Sequence, residues 1–218
     1  MGWADVAVRR VTPGRFISLE GGEGAGKSTQ AARLATALEA RGIACVVTRE
    51  PGGSEGAEAI RTLLMHGDVA RWSPHTEALL FAAARSDHVE KRIRPAIEGG
   101  RWVICDRFVD STRAYQGIGG IDDAAILALH SFGTKGLLPD RTLVLEVEQE
   151  EGAARAAARD GGTLDRFGAR DSEFHAQVAA AFRAIAAREP DRVRIIDAAA
   201  SVEAVTERLL DALADWLP

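Results

Sequence analysis

Residues 16–28 read FISLEGGEGAGKS, an apolar run followed by a glycine-rich loop that ends in Lys-Ser. The run predicts a buried strand over 16–20, and the pattern after the loop predicts a helix over 28–41. The loop satisfies G-x-x-x-x-G-K-[ST], in which backbone N–H groups and the helix N-terminus face nucleotide phosphates, Lys27 reaches the β and γ oxygens, and Ser28 binds Mg²⁺. The residues predicted to bind ATP are Gly21, Gly22, Glu23, Gly24, Ala25, Gly26, Lys27, Ser28 and Thr29.

Strand and helix patterns alternate along the rest of the chain. Strands are predicted at 16–20, 43–48, 102–105, 141–147 and 193–197, and helices at 28–41, 55–66, 76–98, 122–132, 149–159, 172–188 and 202–217. This alternation indicates an α/β chain of the P-loop NTPase fold, with a five-stranded, mostly parallel sheet and helices on both faces. No linker-like stretch interrupts it, so residues 15–218 are predicted to form one domain after an extension, 1–14, of unknown role.

Charge and cysteine content limit the classes of function. The 218-residue chain has a net charge of −5, which argues against coating of nucleic acid through bulk positive charge. Cys45 and Cys105 each lie in an apolar run and are expected to be free thiols in a reducing compartment. No apolar run reaches membrane-spanning length, so the expected location is the cytoplasm.

A phosphate loop is shared by motors, GTPase switches, partition ATPases and small-molecule kinases. A GTPase should carry N-K-x-D after a later strand, whereas residues 148–151 read EQEE. The sequence therefore disfavours a GTPase switch and leaves the other classes open at this point.

Polar residues follow two of the other predicted strands. Arg49 precedes Pro51 and two glycines, and Asp106 and Arg107 follow the apolar run 102–105. Because the carboxyl ends of parallel strands open onto the ligand crevice, Asp106 could serve Mg²⁺ while the arginines hold phosphate. The alternatives are an incidental arginine in a turn and an ion pair at a strand end.

Two further features are ambiguous from the residues alone. Phe81 and Arg85 share one helix face and could contact a base, although spacing alone favours a core position for Phe81. The Gly- and Arg-containing segment 160–170 could be a mobile lid or a plain surface loop.

Several motifs in a fixed order resemble the thymidylate kinase family. The resemblance covers about residues 15 to 217, and the order is more diagnostic than the phosphate loop alone. The matching stretches are FISLEG at 16–21, the phosphate loop through 29, REPGG at 49–53, LLFAAAR at 79–85, DRF at 106–108, STRAYQG at 111–117, PDRT at 139–142 and LDR at 164–166.

The resemblance implies phosphorylation of dTMP to dTDP by ATP and Mg²⁺, through direct in-line transfer, in dTTP synthesis. Phe81 would stack on thymine and Arg85 would hydrogen-bond its O4, which reverses the preference for a core role. Tyr115 would lie beneath the deoxyribose, where a 2′-hydroxyl would crowd it. The implied dTMP-binding residues are Arg49, Pro51, Phe81, Arg85, Arg107, Ser111, Tyr115 and Gln116.

The resemblance also implies a metal site and a lid at about 155–170. Asp106 and Ser28 would organise Mg²⁺, and Glu20 would bind a water of the metal shell. Because Glu23 stands where one subgroup has a loop arginine, the lid should supply the catalytic arginines, and Arg166 is a third lid candidate. Ala157 stands where another lid arginine is common. The catalytic set implied is Lys27, Asp106, Arg107, Arg155 and Arg159.

The implied partners are ATP and dTMP, together with a second copy of the chain packed through helices that include 76–98. No nucleic-acid or membrane partner is expected. Two alternatives stay open: another nucleoside monophosphate or small-metabolite kinase of the same fold, and an ATP-dependent switch or partition protein.

Overall fold

Five parallel strands form one sheet in the computed structural model, which describes residues 12–160 and 166–217, with only the backbone for Arg159 and Asp160. The sheet order is β2-β3-β1-β4-β5, and all four neighbouring pairs are parallel. The predicted α/β class and five-stranded sheet are therefore confirmed. The strands are β1 Phe16–Gly21, β2 Cys45–Arg49, β3 Trp102–Asp106, β4 Arg141–Glu146 and β5 Val193–Asp197.

Helices connect the strands, and two short 3₁₀ turns stand at Val69–Arg71 and Ala214–Trp216. The helices are α1 Lys27–Glu39, α2 Glu55–Met65, α3 Pro74–His88, α4 Arg94–Glu98, α5 Val109–Ile118, α6 Asp123–Thr134, α7 Gln149–Asp160, α8 Ser172–Arg188 and α9 Val202–Asp211.

The predicted long helix 76–98 is divided in the structure. It begins at Pro74 because Ser73 caps it, accepting a hydrogen bond from the backbone N–H of Thr76, and proline suits the first helical position. After His88 a π-helical turn at Val89–Ile93 separates α3 from α4. The sequence pattern located the segment but gave no sign of the π turn.

Helix α5 was not predicted because its buried face is largely polar. Apolar periodicity is the main sequence signal for a helix, and it is weak where buried positions carry hydrogen-bonding groups. The buried polar residues of α5 are Asp110, Thr112, Arg113 and Gln116.

Apolar clusters cover both faces of the sheet. On one face Ile17 of β1 packs with Leu34 of α1 and Leu209 of α9. On the other face separate clusters include Phe108, which follows β3, and Phe182 of α8. Because helices cover both faces of the sheet, its carboxyl edge is left open for a binding site.

Within the described residues, no helix combines the length and apolar character needed to cross a bilayer. Cys45 and Cys105 are both free thiols. Of the predicted N-terminal extension, residues 1–11 lie outside the described part of the chain.

Candidate active site

Glycines shape the phosphate loop between β1 and α1. Gly24 and Gly26 have φ values of +70° and +89°, a left-handed conformation that other residues rarely adopt. A Cβ on Gly24 would lie 1.9 Å from the carbonyl oxygen of Gly152 in the first turn of α7. The loop therefore touches the helix that leads into the predicted lid, backbone against backbone.

Lys27 begins α1 and is buried against the loop. Its Nζ donates hydrogen bonds to the carbonyl oxygens of Gly22 at 2.7 Å and Gly21 at 3.2 Å. Burial, followed by repulsion from Arg107, lowers its pKa to about 8. The ammonium is thus held at the floor of the loop, beside the N–H groups expected to face phosphates.

Asp106 lies where three elements meet at the carboxyl edge. Strand register pairs it with Arg49 on β2 and with Leu19 on β1. Ser28 Oγ donates a hydrogen bond to Asp106 Oδ2 at 2.5 Å. A hydroxyl and a carboxylate side by side suit Mg²⁺, which combines few protein oxygens with waters and substrate phosphates.

Arg107 follows β3 with a left-handed φ of +69°. One Nη donates to the carbonyl oxygen of Gly21 at 3.1 Å and to Ser111 Oγ at 3.2 Å. The other donates to Glu23 Oε1 at 2.5 Å, and the guanidinium lies 5.2 Å from the ring centre of Tyr115. The side chain therefore bridges the phosphate loop and α5.

Arg49, the last residue of β2, lies at the same carboxyl edge of the sheet. Its guanidinium pairs with Glu58 on α2, with N–O distances of 3.0 and 3.1 Å. The next peptide bond, Glu50–Pro51, is cis, and the carbonyl oxygen of Pro51 accepts a hydrogen bond from Arg61 at 2.7 Å. Two arginines thus flank the turn that follows β2.

Aromatic rings line the far end of the cavity. Phe81 is partly exposed to the cavity rather than fully buried, and its ring centre lies 5.7 Å from that of Phe167. Phe167 also contacts the Tyr115 ring, edge to face, at 6.1 Å. The rings form an apolar wall suited to a planar base and its sugar.

Arg85 lies one helical turn from Phe81 and is almost fully buried, yet it lines the cavity. Its Nε donates to Glu50 Oε2 at 2.7 Å, and one Nη donates to Thr112 Oγ1 at 2.8 Å. Gln116 lines the same end and donates to Glu77 Oε2 at 3.3 Å. Amide and guanidinium groups therefore stand beside the aromatic wall.

Two of the three candidate arginines of the predicted lid, Arg155 and Arg166, have described side chains. Arg155 lines the cavity, pairs with Glu151 one turn earlier and donates to the carbonyl oxygen of Ala198 at 3.3 Å. The side chain of Arg159 lies outside the described residues, although its backbone continues α7.

One cavity of about 1700 Å³ brings these groups together. It is lined by the whole phosphate loop, by the residues at the ends of β2 and β3, by the aromatic wall and by Arg155. A cavity of this size exceeds what one small ligand needs. It can hold a donor and an acceptor nucleotide with their phosphates facing each other.

Comparison with known proteins decides among the kinases and switches that share this loop. The thymidylate kinase family model matches residues 19–209. Thymidylate kinase of Rhizorhabdus wittichii is 60% identical over 207 residues, covering 94% of this chain and all of that protein. The Caulobacter vibrioides thymidylate kinase is 52% identical, covering 95% of this chain and 99% of that protein.

The chain belongs to the thymidylate kinase family. A crystal structure of the Ehrlichia chaffeensis thymidylate kinase superposes with a TM-score of 0.75 at 33% identity, covering 92% of this chain and all of that one. The predicted family, fold and enzyme class are therefore confirmed.

Glu20 lies behind the cavity, next to the predicted site residue Ser111. It is fully buried and does not line the cavity. Its Oε1 accepts from the Phe108 backbone N–H at 2.7 Å, and its Oε2 accepts from Ser111 Oγ at 2.6 Å. This geometry does not favour the predicted contact with a metal-bound water, and it makes Glu20 a brace between β1 and the start of α5.

Arg166 also differs from its expected place. It is buried outside the cavity and donates to the carbonyl oxygens of Leu64, Asp68 and Val69 at 2.7–2.9 Å, and to Glu77 Oε1 at 2.8 Å. Its donors are committed to the connection between α2 and α3. The structure therefore favours an anchor rather than a phosphate contact.

Several residues that line the cavity had no role predicted from the sequence. Thr112 supports Arg85, Arg61 supports the turn after β2, and Arg170 lines the cavity near Glu77 at 3.7 Å. Arg61 could have been found from the sequence, because it is a cation in the helix that follows the REPGG turn. The others depend on contacts between segments far apart in sequence. Arg113 is buried in ion pairs with Asp110, Asp123 and Glu189.

Proposed function

We propose that this chain transfers the γ-phosphoryl group of ATP to dTMP, giving ADP and dTDP. The observation that carries the proposal is the single cavity in which the phosphate loop faces the arginines at the ends of β2 and β3 and the aromatic wall. Membership of the thymidylate kinase family supports the choice of acceptor.

The donor nucleotide lies on the phosphate loop. Its phosphates accept hydrogen bonds from the loop N–H groups, and Lys27 exchanges its carbonyl partners for phosphate oxygens. Ser28 and Asp106 would hold Mg²⁺, which would neutralise negative charge on the phosphates.

The acceptor lies at the aromatic end. Phe81 stacks on the thymine ring, and Arg85 hydrogen-bonds its O4 from a fixed position against Glu50. Tyr115 packs beneath the deoxyribose, and Ser111 and Gln116 complete this end of the site. Arg49, Arg107 and the turn at Pro51 hold the dTMP phosphate toward the donor.

The chemical step needs positioning and charge stabilisation more than covalent chemistry. An oxygen of the dTMP phosphate forms a bond to the γ-phosphorus while the bond from that phosphorus to the β,γ-bridging oxygen breaks. ADP leaves with that oxygen and its electron pair. Arg107, Arg155 and Arg159 stabilise the charge that spreads over the transferring group.

An acceptor panel tests the proposal. With ATP and Mg²⁺ fixed, dTMP, dUMP, CMP, AMP and GMP are compared by ADP release and by analysis of the nucleotide products. We expect dTMP to give the highest kcat/KM. Equal or faster turnover with a purine would overturn the acceptor assignment, and stimulation by a macromolecule without acceptor phosphorylation would indicate a switch.

We also propose a homodimer in the cytoplasm. Leu79 on α3 and Phe132 on α6 are large apolar side chains that are 55% and 93% exposed, and α3 packs against α6. A second copy covering this face would remove both from water. Light scattering should give twice the chain mass, and F132E should shift the protein toward monomer. A monomeric wild-type protein would refute the dimer.

A further inference from the structure

A buried histidine stands behind the base-binding arginine. His88 ends α3 and is completely shielded from solvent. Its Nδ1 lies 3.1 Å from Glu50 Oε1, and its Nε2 lies 2.7 Å from Thr48 Oγ1. Both ring nitrogens are therefore satisfied, one by the carboxylate and one by a hydroxyl of β2.

Glu50 connects this histidine to the cavity. While Oε1 faces His88, Oε2 accepts the Nε–H of Arg85 at 2.7 Å, and the two side chains are 4% and 2% exposed. Arg85 is fixed on its other side by Thr112 Oγ1 and by the carbonyl oxygen of Phe108 at 3.3 Å. His88 and Thr48 do not line the cavity, whereas Glu50 and Arg85 do.

The turn after β2 packs tightly against the His88 ring. A Cβ added to Gly53 would lie 2.3 Å from His88 Nε2 and 2.6 Å from Thr48 Oγ1. Gly53 has a φ of +86°, which also favours glycine. The turn after β2 is thus folded directly onto the imidazole.

We propose that His88 is a positioning residue for recognition of the acceptor base. It fixes the carboxylate of Glu50, and Glu50 fixes the plane of the Arg85 guanidinium that meets the base. The proposal rests on the proposed function, in which Arg85 contacts dTMP. Since hydrogen bonds to charged groups are stronger than those between neutral groups, loss of the Glu50 contact should weaken acceptor binding measurably.

Two substitutions separate the two ring contacts. An asparagine amide can replace Nδ1 and keep the bond to Glu50, whereas a glutamine amide reaches the Nε2 position and keeps the bond to Thr48. We expect H88Q to raise the KM for dTMP about 10-fold with little change in kcat or in the KM for ATP. We expect H88N to stay within about 3-fold of wild type.

The control is H130Q, at another buried histidine, whose Nε2 contacts the carbonyl oxygen of Leu137 at 2.7 Å. Thermal unfolding of each variant gives its loss of stability. An equal rise in the KM for dTMP in H88Q and H130Q would overturn the positioning role. If H88Q fails to fold, E50Q removes the charge through which His88 is proposed to act on Arg85, and an unchanged KM for dTMP in that variant would also overturn it.

A double-mutant cycle with R85Q completes the test. If His88 acts through Arg85, H88Q should raise the KM for dTMP by less than about 2-fold in the R85Q background. Independent, multiplying effects would refute the proposal. The proposed function fails separately if wild-type protein does not phosphorylate dTMP, or if R85Q binds dTMP as tightly as wild type in calorimetry.

Discussion

Arg166 should stabilise the fold rather than contact the transferring phosphoryl group. Its guanidinium is about 2% exposed and binds Glu77 and three backbone carbonyl oxygens of the α2–α3 connection. The substitution R166M keeps an unbranched apolar stem and removes every one of these donors. It leaves the buried Glu77 carboxylate without its nearest cation.

The expected loss follows from that geometry. Removing one partner of a buried ion pair costs about 3–5 kcal/mol, because the remaining charge stays desolvated. For a chain of this length each kcal/mol lowers Tm by about 2–4 °C. R166M should therefore unfold about 6–20 °C below wild type.

Urea and thermal unfolding measure the effect, with R183M as the matched control. Arg183 pairs with Glu146 at 2.6 Å, but its side chain is 61% exposed, so its loss should cost less than about 1 kcal/mol. The double variant R166M/E77Q should recover part of the stability because the buried carboxylate that has lost its nearest cation is gone. If R166M has wild-type stability and a kcat reduced 100-fold, Arg166 is not a structural anchor, and a contact with the substrate phosphates is favoured instead.

The other predictions concern charge and pH. R159A should lower kcat about 10²-fold and leave dTMP binding intact. Steady-state kinetics measures kcat, and calorimetry measures dTMP binding. A variant with wild-type kcat would show that Arg159 takes no part in the mechanism. ATP affinity should fall as pH rises through 8, because the pKa of Lys27 is lowered to about 8 and the neutral amine binds phosphate poorly. Calorimetry from pH 7 to 9.5 measures this affinity, and an affinity that does not change with pH would contradict the prediction. Burial, followed by repulsion from Asp110, raises the pKa of Glu20 from 4.5 to about 8. Its contribution to stability should be full below pH 4.5 and lost as pH rises to 8. E20Q should flatten that part of the unfolding profile, and an unchanged slope would count against the raised pKa.

The parts of the molecule that local patterns encode were predictable. Strand β1 is buried along its whole length and most of its residues are apolar, and the phosphate loop carries its glycines at fixed spacing. Parallel strands bring their carboxyl ends together, so Asp106 and Arg49 were expected to be neighbours. Fold and donor site therefore followed from short stretches of sequence.

What could not be predicted depends on contacts between distant segments. Nothing around Arg166 in the sequence indicates that its acceptors lie some 100 positions earlier, at 64–69. The fully buried position of Glu20 depends on the start of α5, a helix whose buried polar side chains hide its period. The partnership of His88 with Glu50 likewise joins α3 to the turn after β2.

The arginines proposed to meet substrate already have anionic partners: Arg107 has Glu23, Arg49 has Glu58 and Arg85 has Glu50. An arriving phosphate at Arg49 or Arg107 therefore competes with a resident carboxylate, and its binding is an ion exchange rather than the capture of a bare cation. A doubly charged phosphate monoester is better able to displace a carboxylate than a singly charged diester is. If Arg49 and Arg107 hold the acceptor phosphate as proposed, these internal carboxylates would favour terminal phosphates over the phosphodiester backbone of a polynucleotide.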